Sequence, residues 1–180
     1  MQIVDTTIAD VKVIQPRVFH DNRGFFLETF EKERYQKMLG ITDDFVQDNY
    51  SRSVQGVLRG LHFQYKHPQG KLVRVVRGEI FDVVVDIRPF SPTYGQWEGV
   101  ILSEDNKKQC WIPPGLAHGF VVLSAIADVE YKCTDYYDPQ AEGCLLWNDP
   151  TVGVKWPIET PILSEKDKQG KLLGELPYYY

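Results

Sequence analysis

Two segments of the chain are rich in side chains that can move protons or hold charge. The first is Arg59-Gly60-Leu61-His62-Phe63-Gln64, and Gly70-Lys71 follows it closely. The second is Pro113-Pro114-Gly115-Leu116-Ala117-His118, where a Pro-Gly turn leads to a histidine. An imidazole titrates near neutral pH and suits removal of a proton beside a ketone, and a neighbouring cation would stabilise the enolate that forms. Either histidine alone is weak support, because a single strand histidine is more often structural.

Inversion at the same carbon would also require an acid on the opposite side of a pocket. Tyr131 lies in a predicted strand, on the same face as Val129 and Cys133, so its phenol can point inward. The alternative is a core or rim tyrosine whose hydroxyl is satisfied elsewhere. The residues leave both readings open.

Short β-strands are the elements that must position these groups. Residues 80–87 alternate with a period of two, and Leu72–Val76 is predicted as their hairpin partner through a turn at Arg77-Gly78. Similar patterns predict further strands at Val11–Ile14, Phe25–Phe30, Glu98–Leu102, Gln109–Ile112, Gly119–Leu123 and Ala127–Cys133.

The spacing of these strands predicts a mainly β protein of the jelly-roll type, with a few short helices at its periphery. One helix is predicted over Glu31–Leu39, ending at Gly40, and another is predicted to open with a capping box at Ser164-Glu165-Lys166-Asp167. A length of 180 residues fits one domain, here residues 1–180, since domains commonly have about 100–200 residues.

Composition and charge exclude several classes of protein. The net charge of −5 argues against a general nucleic-acid binder, and no apolar run reaches the roughly 20 residues that span a bilayer. The first ten residues lack the cationic start and apolar core of a signal peptide, so a cytoplasmic location is expected. Cys110, Cys133 and Cys144 form no CxxC pair and are expected to be reduced.

The two segments together resemble the two motifs of the cupin superfamily, which implies a cupin-type barrel. Cupin metal sites use a His-x-His, a Glu seven residues before a Gly, and a His after a Pro-x-Gly turn. Here His62 and His118 are in place, but Gln64 replaces the second histidine and Lys71 stands seven residues before Gly78. Because an ammonium repels a divalent cation, we expect no metal and no other cofactor.

Nearly the whole chain resembles the dTDP-4-dehydrorhamnose 3,5-epimerase family. The matching stretches are Arg23-Gly24-Phe25-Phe26 with Glu28, Gln47-Asp48-Asn49-Tyr50-Ser51, Arg59–Gln64, Gln69-Gly70-Lys71, Ile112–Gly115 with His118-Gly119-Phe120, and Tyr131–Tyr137. The resemblance implies that His62 is the base that removes the C3 and C5 protons of a dTDP-4-keto-6-deoxy sugar. It implies Asp167 as the partner of His62, Tyr131 as the acid and Lys71 as the group that stabilises the enolate.

The resemblance also implies a binding set and a homodimer. The residues it places around the nucleotide-sugar are Arg23, Phe26, Glu28, Gln47, Asn49, Arg59, His118, Tyr137, Glu142 and Lys166. Tyr137 would stack on the thymine ring. In the family, the N-terminal segment of one chain contributes to its partner's site, which would bring Arg23, Phe26 and Glu28 to the neighbouring nucleotide. The Pro177–Tyr180 tail is apolar enough for an interface or for packing on its own chain.

Three other functions compete with a 3,5-epimerase. A single-position epimerase or a 3,4-ketoisomerase would act on the same dTDP-4-keto sugar through the same enolate. A metal-free cupin that senses a nucleotide-sugar would need no base and acid on opposite faces of a pocket. A metal-dependent cupin enzyme would contain stoichiometric metal, which Gln64 and Lys71 argue against.

Overall fold

A computed structural model describes residues 1–177, so residues 178–180 of the Pro177–Tyr180 tail, predicted either to join an interface or to pack on its own chain, lie outside this range. The described residues form thirteen β-strands, two short α-helices and one 3-10 turn. The strands are β1 (Gln2–Asp5), β2 (Lys12–Gln15), β3 (Val18–Asp21), β4 (Gly24–Leu27), β5 (Gln47–Val54), β6 (Leu58–Gln64), β7 (Lys71–Arg77), β8 (Glu79–Asp86), β9 (Trp97–Ser103), β10 (Gln109–Ile112), β11 (Leu116–Val122), β12 (Ile126–Cys133) and β13 (Glu142–Cys144).

Two antiparallel sheets contain all of these strands except the β3–β4 hairpin. One sheet has six strands in the order β1-β2-β10-β7-β12-β5, and the other has five in the order β13-β6-β11-β8-β9. From β9 to β13 each successive strand lies in the opposite sheet. This crossing of the chain between two packed sheets is the jelly-roll arrangement, so the predicted mainly β, cupin-type barrel is confirmed.

The described residues form three hydrophobic clusters, and strand β8 contributes to two of them. Between the sheets, Val73 of β7 packs with Ile80 and Val84 of β8. On the outer face of the five-stranded sheet, Val83 of β8 packs with Leu173 from the C-terminal part of the chain. Each such side chain contributes about 1.5–3 kcal/mol when fully buried. Strand β8 is therefore buried on both faces, which explains its apolar run from Val83 to Val85.

The predicted hairpin between Leu72–Val76 and residues 80–87 is wrong. Strand β7 pairs with β10 and β12, whereas β8 pairs with β9 and β11 in the opposite sheet. The turn at Gly78 has φ of 78° and carries the chain from one sheet to the other. A Cβ at this position would lie 2.1 Å from the Ile126 carbonyl oxygen, so only glycine fits.

Both predicted helices are present at the edges of the barrel. Helix α1 (Lys32–Leu39) begins after Glu31, whose carboxylate accepts hydrogen bonds from two backbone N–H groups, and it ends at Gly40 with φ of 69°. Helix α2 (Glu165–Lys168) is capped by the Ser164 hydroxyl, and the 3-10 turn (Leu173–Glu175) follows it. Neither helix of residues 1–177 has the length or apolar character that crossing a membrane requires.

The β3–β4 hairpin pairs with neither sheet and presents apolar side chains to solvent. Phe19, Phe25 and Phe26 are 48%, 53% and 70% exposed. Three exposed phenylalanines on one short hairpin are unusual for a monomeric surface and are typical of a surface that another molecule covers.

Candidate active site

A cavity of about 350 Å³ lies between the two sheets and contains most of the predicted site residues. Those from the six-stranded sheet are Gln47, Asn49, Lys71 and Tyr131. Those from the five-stranded sheet are Arg59, His62, His118 and Glu142, and Tyr137 joins them from a loop. Groups that are far apart in sequence therefore face one space because inward-pointing positions of both sheets meet there.

His62 and Asp167 form a short hydrogen-bonded pair at one wall. Strand β6 carries His62, and its Nε2 lies 2.5 Å from Oδ1 of Asp167 at the start of α2. The Ser164 hydroxyl donates to the other carboxylate oxygen at 2.8 Å. Burial by itself would raise the pKa of Asp167, but the hydrogen bonds from His62 and Ser164 outweigh it and lower the pKa. The carboxylate thus holds the proton of His62 on Nε2 and leaves Nδ1 as the basic nitrogen.

Lys71 supplies a buried positive charge. It is the first residue of β7 and stands opposite Cys133 of β12. Burial lowers the pKa of Lys71, while Cys133, Glu142 and Asp82 act in the other direction. Within residues 1–177 it forms no salt bridge, so its ammonium is available for negative charge that develops inside the cavity.

Tyr131 lies on the opposite sheet from His62 and points inward, as its pattern predicts. It packs against the core between the sheets and stands opposite Asn49 of β5. Burial raises the pKa of Tyr131, which keeps the phenol protonated at neutral pH. Its hydroxyl takes part in no hydrogen bond within the described chain, so the reading as a satisfied core tyrosine is not supported.

The mouth of the cavity is lined by polar groups that bond one another. The Tyr137 hydroxyl donates to Glu142 at 2.7 Å, and Glu142 also forms an ion pair with Lys166. The hydrogen bond to Glu142 raises the pKa of Tyr137 to about 12. The Tyr137 backbone N–H donates to Gln47, whose side-chain amide donates to Asn49 at 3.0 Å. These contacts orient the Tyr137 ring at the entrance.

Arg59 stands at the same mouth and is exposed. Its Nε donates to the Ser53 hydroxyl at 2.9 Å, which directs the guanidinium. The two Nη groups form the planar fork that binds two oxygens of a phosphate at once. Arg59 is therefore suited to an anionic ligand group.

His118 has a partner that the sequence does not indicate. Its Nε2 lies 2.7 Å from Oδ1 of Asp82, and both side chains are buried. Oδ2 of Asp82 has no hydrogen-bond partner among residues 1–177. The cavity-lining hydroxyl of Ser51 is likewise buried and unpartnered. The one sequence signal for this pair is that Asp82 interrupts the apolar residues of β8. Burying a carboxylate without a partner is energetically costly, so an acidic residue at such a position indicates a buried polar partner.

The remaining predicted residues do not line this cavity. Lys166 and Asp167 lie behind His62, where they border a neighbouring cavity. On the N-terminal side, Arg23 pairs with Asp21 in the β3–β4 hairpin and Glu28 pairs with Arg34. Arg23 and Phe26 therefore belong to the hairpin surface rather than to the site of their own chain.

A jelly-roll barrel with a histidine–carboxylate pair and a protonated tyrosine around one cavity defines a cupin-type enzyme of proton transfer. The model of the family described as dTDP-4-dehydrorhamnose 3,5-epimerase matches residues 5–175. The chain belongs to this family.

Individual relatives agree with the family. Proteins named dTDP-4-dehydrorhamnose 3,5-epimerase are 52% identical in Pseudomonas aeruginosa, over 97% of both chains, and 56% identical in Neisseria gonorrhoeae. The match to the Neisseria protein covers 95% of this chain but only 52% of that protein's length. The crystal structure of dTDP-6-deoxy-D-glucose-3,5-epimerase from Legionella pneumophila Philadelphia 1, in complex with dTDP-4-keto-L-rhamnose, is 55% identical. It superposes with a TM-score of 0.97 over 99% of this chain and 98% of that one.

Proposed function

We propose that this chain is an isomerase that converts dTDP-4-dehydro-6-deoxy-D-glucose to dTDP-4-dehydro-L-rhamnose by epimerisation at C3 and C5. One observation carries the proposal: His62 with Asp167, and Tyr131, reach one cavity from opposite sheets. An epimerisation removes a proton from one face of a carbon and returns one to the other face. Such a reaction needs a base and an acid on opposite walls.

In the proposed reaction each side chain acts at a stated atom. Nδ1 of His62 takes the proton from C3 or C5, and the C–H electrons form a double bond to C4 and place negative charge on the C4 oxygen. The ammonium of Lys71 stabilises that charge. Tyr131 then donates its phenolic proton to the opposite face of the carbon, the carbonyl re-forms, and solvent restores the protonation states of both groups.

The binding roles are proposed from the same geometry. Arg59 would bind the diphosphate, and Tyr137 would stack on thymine at the mouth. Glu142 and Lys166 would hold the Tyr137 hydroxyl in place through their own contacts. The other cavity groups proposed to contact the nucleotide-sugar are Gln47, Asn49 and His118.

The proposal is tested by incubating the protein with dTDP-4-keto-6-deoxyglucose in D2O and locating deuterium by proton NMR and mass spectrometry. We expect deuterium at both C3 and C5. His62→Ala should abolish the exchange, whereas Tyr131→Phe should retain part of it and lose inversion. The exposed residues His67 and Tyr50 provide matched controls, and His67→Ala and Tyr50→Phe should behave as the unmodified chain does.

Other outcomes would select a different function. Deuterium at C3 alone would indicate a single-position epimerase or a 3,4-ketoisomerase, and the final position of the carbonyl would separate these two. Binding of the sugar without any exchange would contradict an epimerase and favour a nucleotide-sugar sensor. Full exchange in His62→Ala would remove His62 as the base.

We also propose a homodimer in which the β3–β4 hairpin of each chain reaches its partner's site. The exposure of Phe19, Phe25 and Phe26 supports this, because an apolar hairpin that pairs with neither sheet gains most from burial against a second copy. Arg23 and Glu28 would then lie near the neighbouring nucleotide.

The dimer is tested by sedimentation of Phe26→Asp. This variant should shift from dimer to monomer and show a raised KM, because a buried charge opposes association. Phe90 is 87% exposed elsewhere on the surface, so Phe90→Asp is the matched control and should remain dimeric. A Phe26→Asp protein that sediments as the unmodified chain does would contradict the exchange of the hairpin.

The biological setting follows from the proposed substrate. We place the activity in the cytoplasm as a step of dTDP-L-rhamnose biosynthesis, which supplies lipopolysaccharide or cell-wall polysaccharide. The chain is proposed to act as a single domain, with no nucleic-acid or membrane partner.

A further inference from the structure

One cluster beside the base has a second chemical capacity. His62, Cys144 and Asp167 each offer a ligand atom, and these three atoms lie within 4.8 Å of one another. The first two residues are half-buried and Asp167 is buried. Imidazole, thiolate and carboxylate are the three side-chain ligands that zinc prefers.

The backbone fixes this cluster from three directions. Strand β13 pairs with β6 so that Cys144 stands directly opposite His62, and side chains in such positions lie on the same face of a sheet. Asp167 approaches from α2 and contacts His62 at 2.5 Å. The Cys144 carbonyl accepts a hydrogen bond from the Lys171 backbone N–H at 2.9 Å, which ties β13 to the segment that follows α2.

Burial raises the pKa of the Cys144 thiol to about 12, so the thiol gives up its proton only to a strongly binding cation. The charged groups that also act on this thiol are Asp167, Lys166 and Glu142. Lys166 is already paired with Glu142, so the carboxylate of Asp167 remains as the uncompensated charge beside the thiol. Cys110 and Cys133, by contrast, are buried, and neither belongs to such a cluster among residues 1–177.

We propose that His62, Cys144 and Asp167 form an inhibitory site for Zn²⁺ or a similar thiophilic divalent cation. Binding forms a metal–sulfur bond and breaks the S–H bond of Cys144, and the proton passes to water. The proton on Nε2 of His62 passes through water to Nδ1, and the metal takes the freed Nε2 electron pair together with one oxygen of Asp167, while water fills the fourth position. The hydrogen bond that orients His62 is replaced, so the base is withdrawn from its reaction.

This site shares His62 with the positions of a cupin cofactor site but differs from it in the other ligands and in role. It uses none of Gln64, Lys71 and His118, which line the cavity. The inhibition rests on the proposed function, whereas the binding of metal does not. A binding measurement can therefore refute the metal site, and an activity measurement can refute its inhibitory role, independently of each other.

The binding test uses Co²⁺ as a spectroscopic probe and Zn²⁺ in titration calorimetry, with the full chain. We expect one metal per chain and a thiolate-to-cobalt charge-transfer band. Cys144→Ser should abolish the band and weaken Zn²⁺ binding by at least about tenfold, since even altered outer-shell partners cost about 10–100-fold in metal affinity. Cys110→Ala removes a thiol elsewhere in the barrel and should leave the band and the affinity unchanged.

The activity test measures deuterium exchange into the sugar with and without Zn²⁺. Zn²⁺ should suppress exchange in the unmodified chain and a chelator should restore it, while Cys144→Ser should stay active at Zn²⁺ concentrations that stop the unmodified chain. A band that persists in Cys144→Ser, or equal Zn²⁺ affinity in both proteins, would overturn the site. Tight binding through Cys144 without loss of exchange would overturn its inhibitory role.

Discussion

Tyr131 and Asp167 are held in the charge states that the proposed proton transfer needs, each by a different cause. Burial raises the pKa of Tyr131 and so keeps its phenol protonated, whereas at Lys71 burial lowers the pKa and opposes the positive form. Hydrogen bonds from His62 and Ser164 overcome the effect of burial on Asp167 and keep it ionised. In the proposed reaction, this carboxylate would stabilise the positive imidazole that forms when His62 takes a proton.

The single substitution Asp167→Asn tests whether this carboxylate stabilises the positive form of His62. The amide can still hydrogen-bond His62 but cannot stabilise its positive form, so kcat should fall by about 10²–10⁴-fold with little change in KM. Glu165→Gln is the control, because this exposed carboxylate of the same helix pairs with Lys168 and leaves the His62–Asp167 contact in place. Steady-state kinetics of both variants decide the matter, and an Asp167→Asn enzyme with unchanged kcat would remove Asp167 from the mechanism.

At the scale of elements, strands β6 and β11 position the two cavity histidines through an unusually close backbone contact. A Cβ at Gly119 would lie 2.5 Å from the Arg59 carbonyl oxygen, and one at Gly60 would lie 2.6 Å from Gly119 Cα. The strand register shifts at this point, between His118 and Phe120. The two strands can approach this closely only because neither glycine has a side chain.

Adding one methyl group at this crossing should separate the strands. Gly119→Ala is expected to lower the free energy of unfolding by about 1–3 kcal/mol, as overpacked core positions do. Gly174→Ala is the matched control, since its added Cβ meets nothing within 4 Å, and it should change stability by less than about 0.5 kcal/mol. Urea unfolding gives both values. Equal stability of the two variants would show that the close contact carries no constraint.

The elements that the sequence predicts well are those with an apolar alternation. Strand β12 and helix α1 lie where the patterns predict them, because one face of each is buried. Strand β5 carries polar cavity groups on one face and exposed groups on the other. It therefore lacks an alternation of apolar residues, and the sequence pattern does not predict it. The predicted strand partner of β7 was also wrong. A two-residue link has the same sequence pattern whether the chain folds back as a hairpin or crosses to the other sheet. The pairing of His118 with Asp82 depends on this long-range topology.

At the scale of the whole molecule, Asp86 organises a loop whose Arg88 reaches the N-terminal part of the chain. This fully buried carboxylate accepts hydrogen bonds from Arg88, Ser91 and Thr93, and Arg88 also reaches Asp10 near the N-terminus. Burial alone would raise the pKa of Asp86, but these bonds lower it to about 2. Ionised Asp86 thus stabilises the fold, because the unfolded chain holds the proton more tightly.

Lowering the pH should therefore remove the contribution of ionised Asp86 to the free energy of unfolding. The folded-state pKa is depressed, so the contribution is complete above about pH 4 and is lost as pH falls towards 2. Its size is about 2 kcal/mol. Asp86→Asn should lose this amount at neutral pH and flatten the decline of stability between pH 4 and 2, measured by urea unfolding. Asp5 forms an exposed ion pair with Lys12, so Asp5→Asn is the control and should lower the free energy of unfolding by less than about 1 kcal/mol. If this control also flattened the decline of stability between pH 4 and 2, the acid sensitivity could not be assigned to Asp86.

The His62–Asp167 contact joins positions 105 residues apart, and this separation has a consequence for synthesis. A ribosome has delivered every strand of the described barrel once residue 144 has emerged, yet the carboxylate for His62 arrives in the short helix that comes later. A nascent chain can therefore form all the strands around the cavity before the proposed base has a counter-charge. Leu173, which packs against Val83 of β8, arrives later still, so the last residues to leave the ribosome complete both the proposed site and one of the cores.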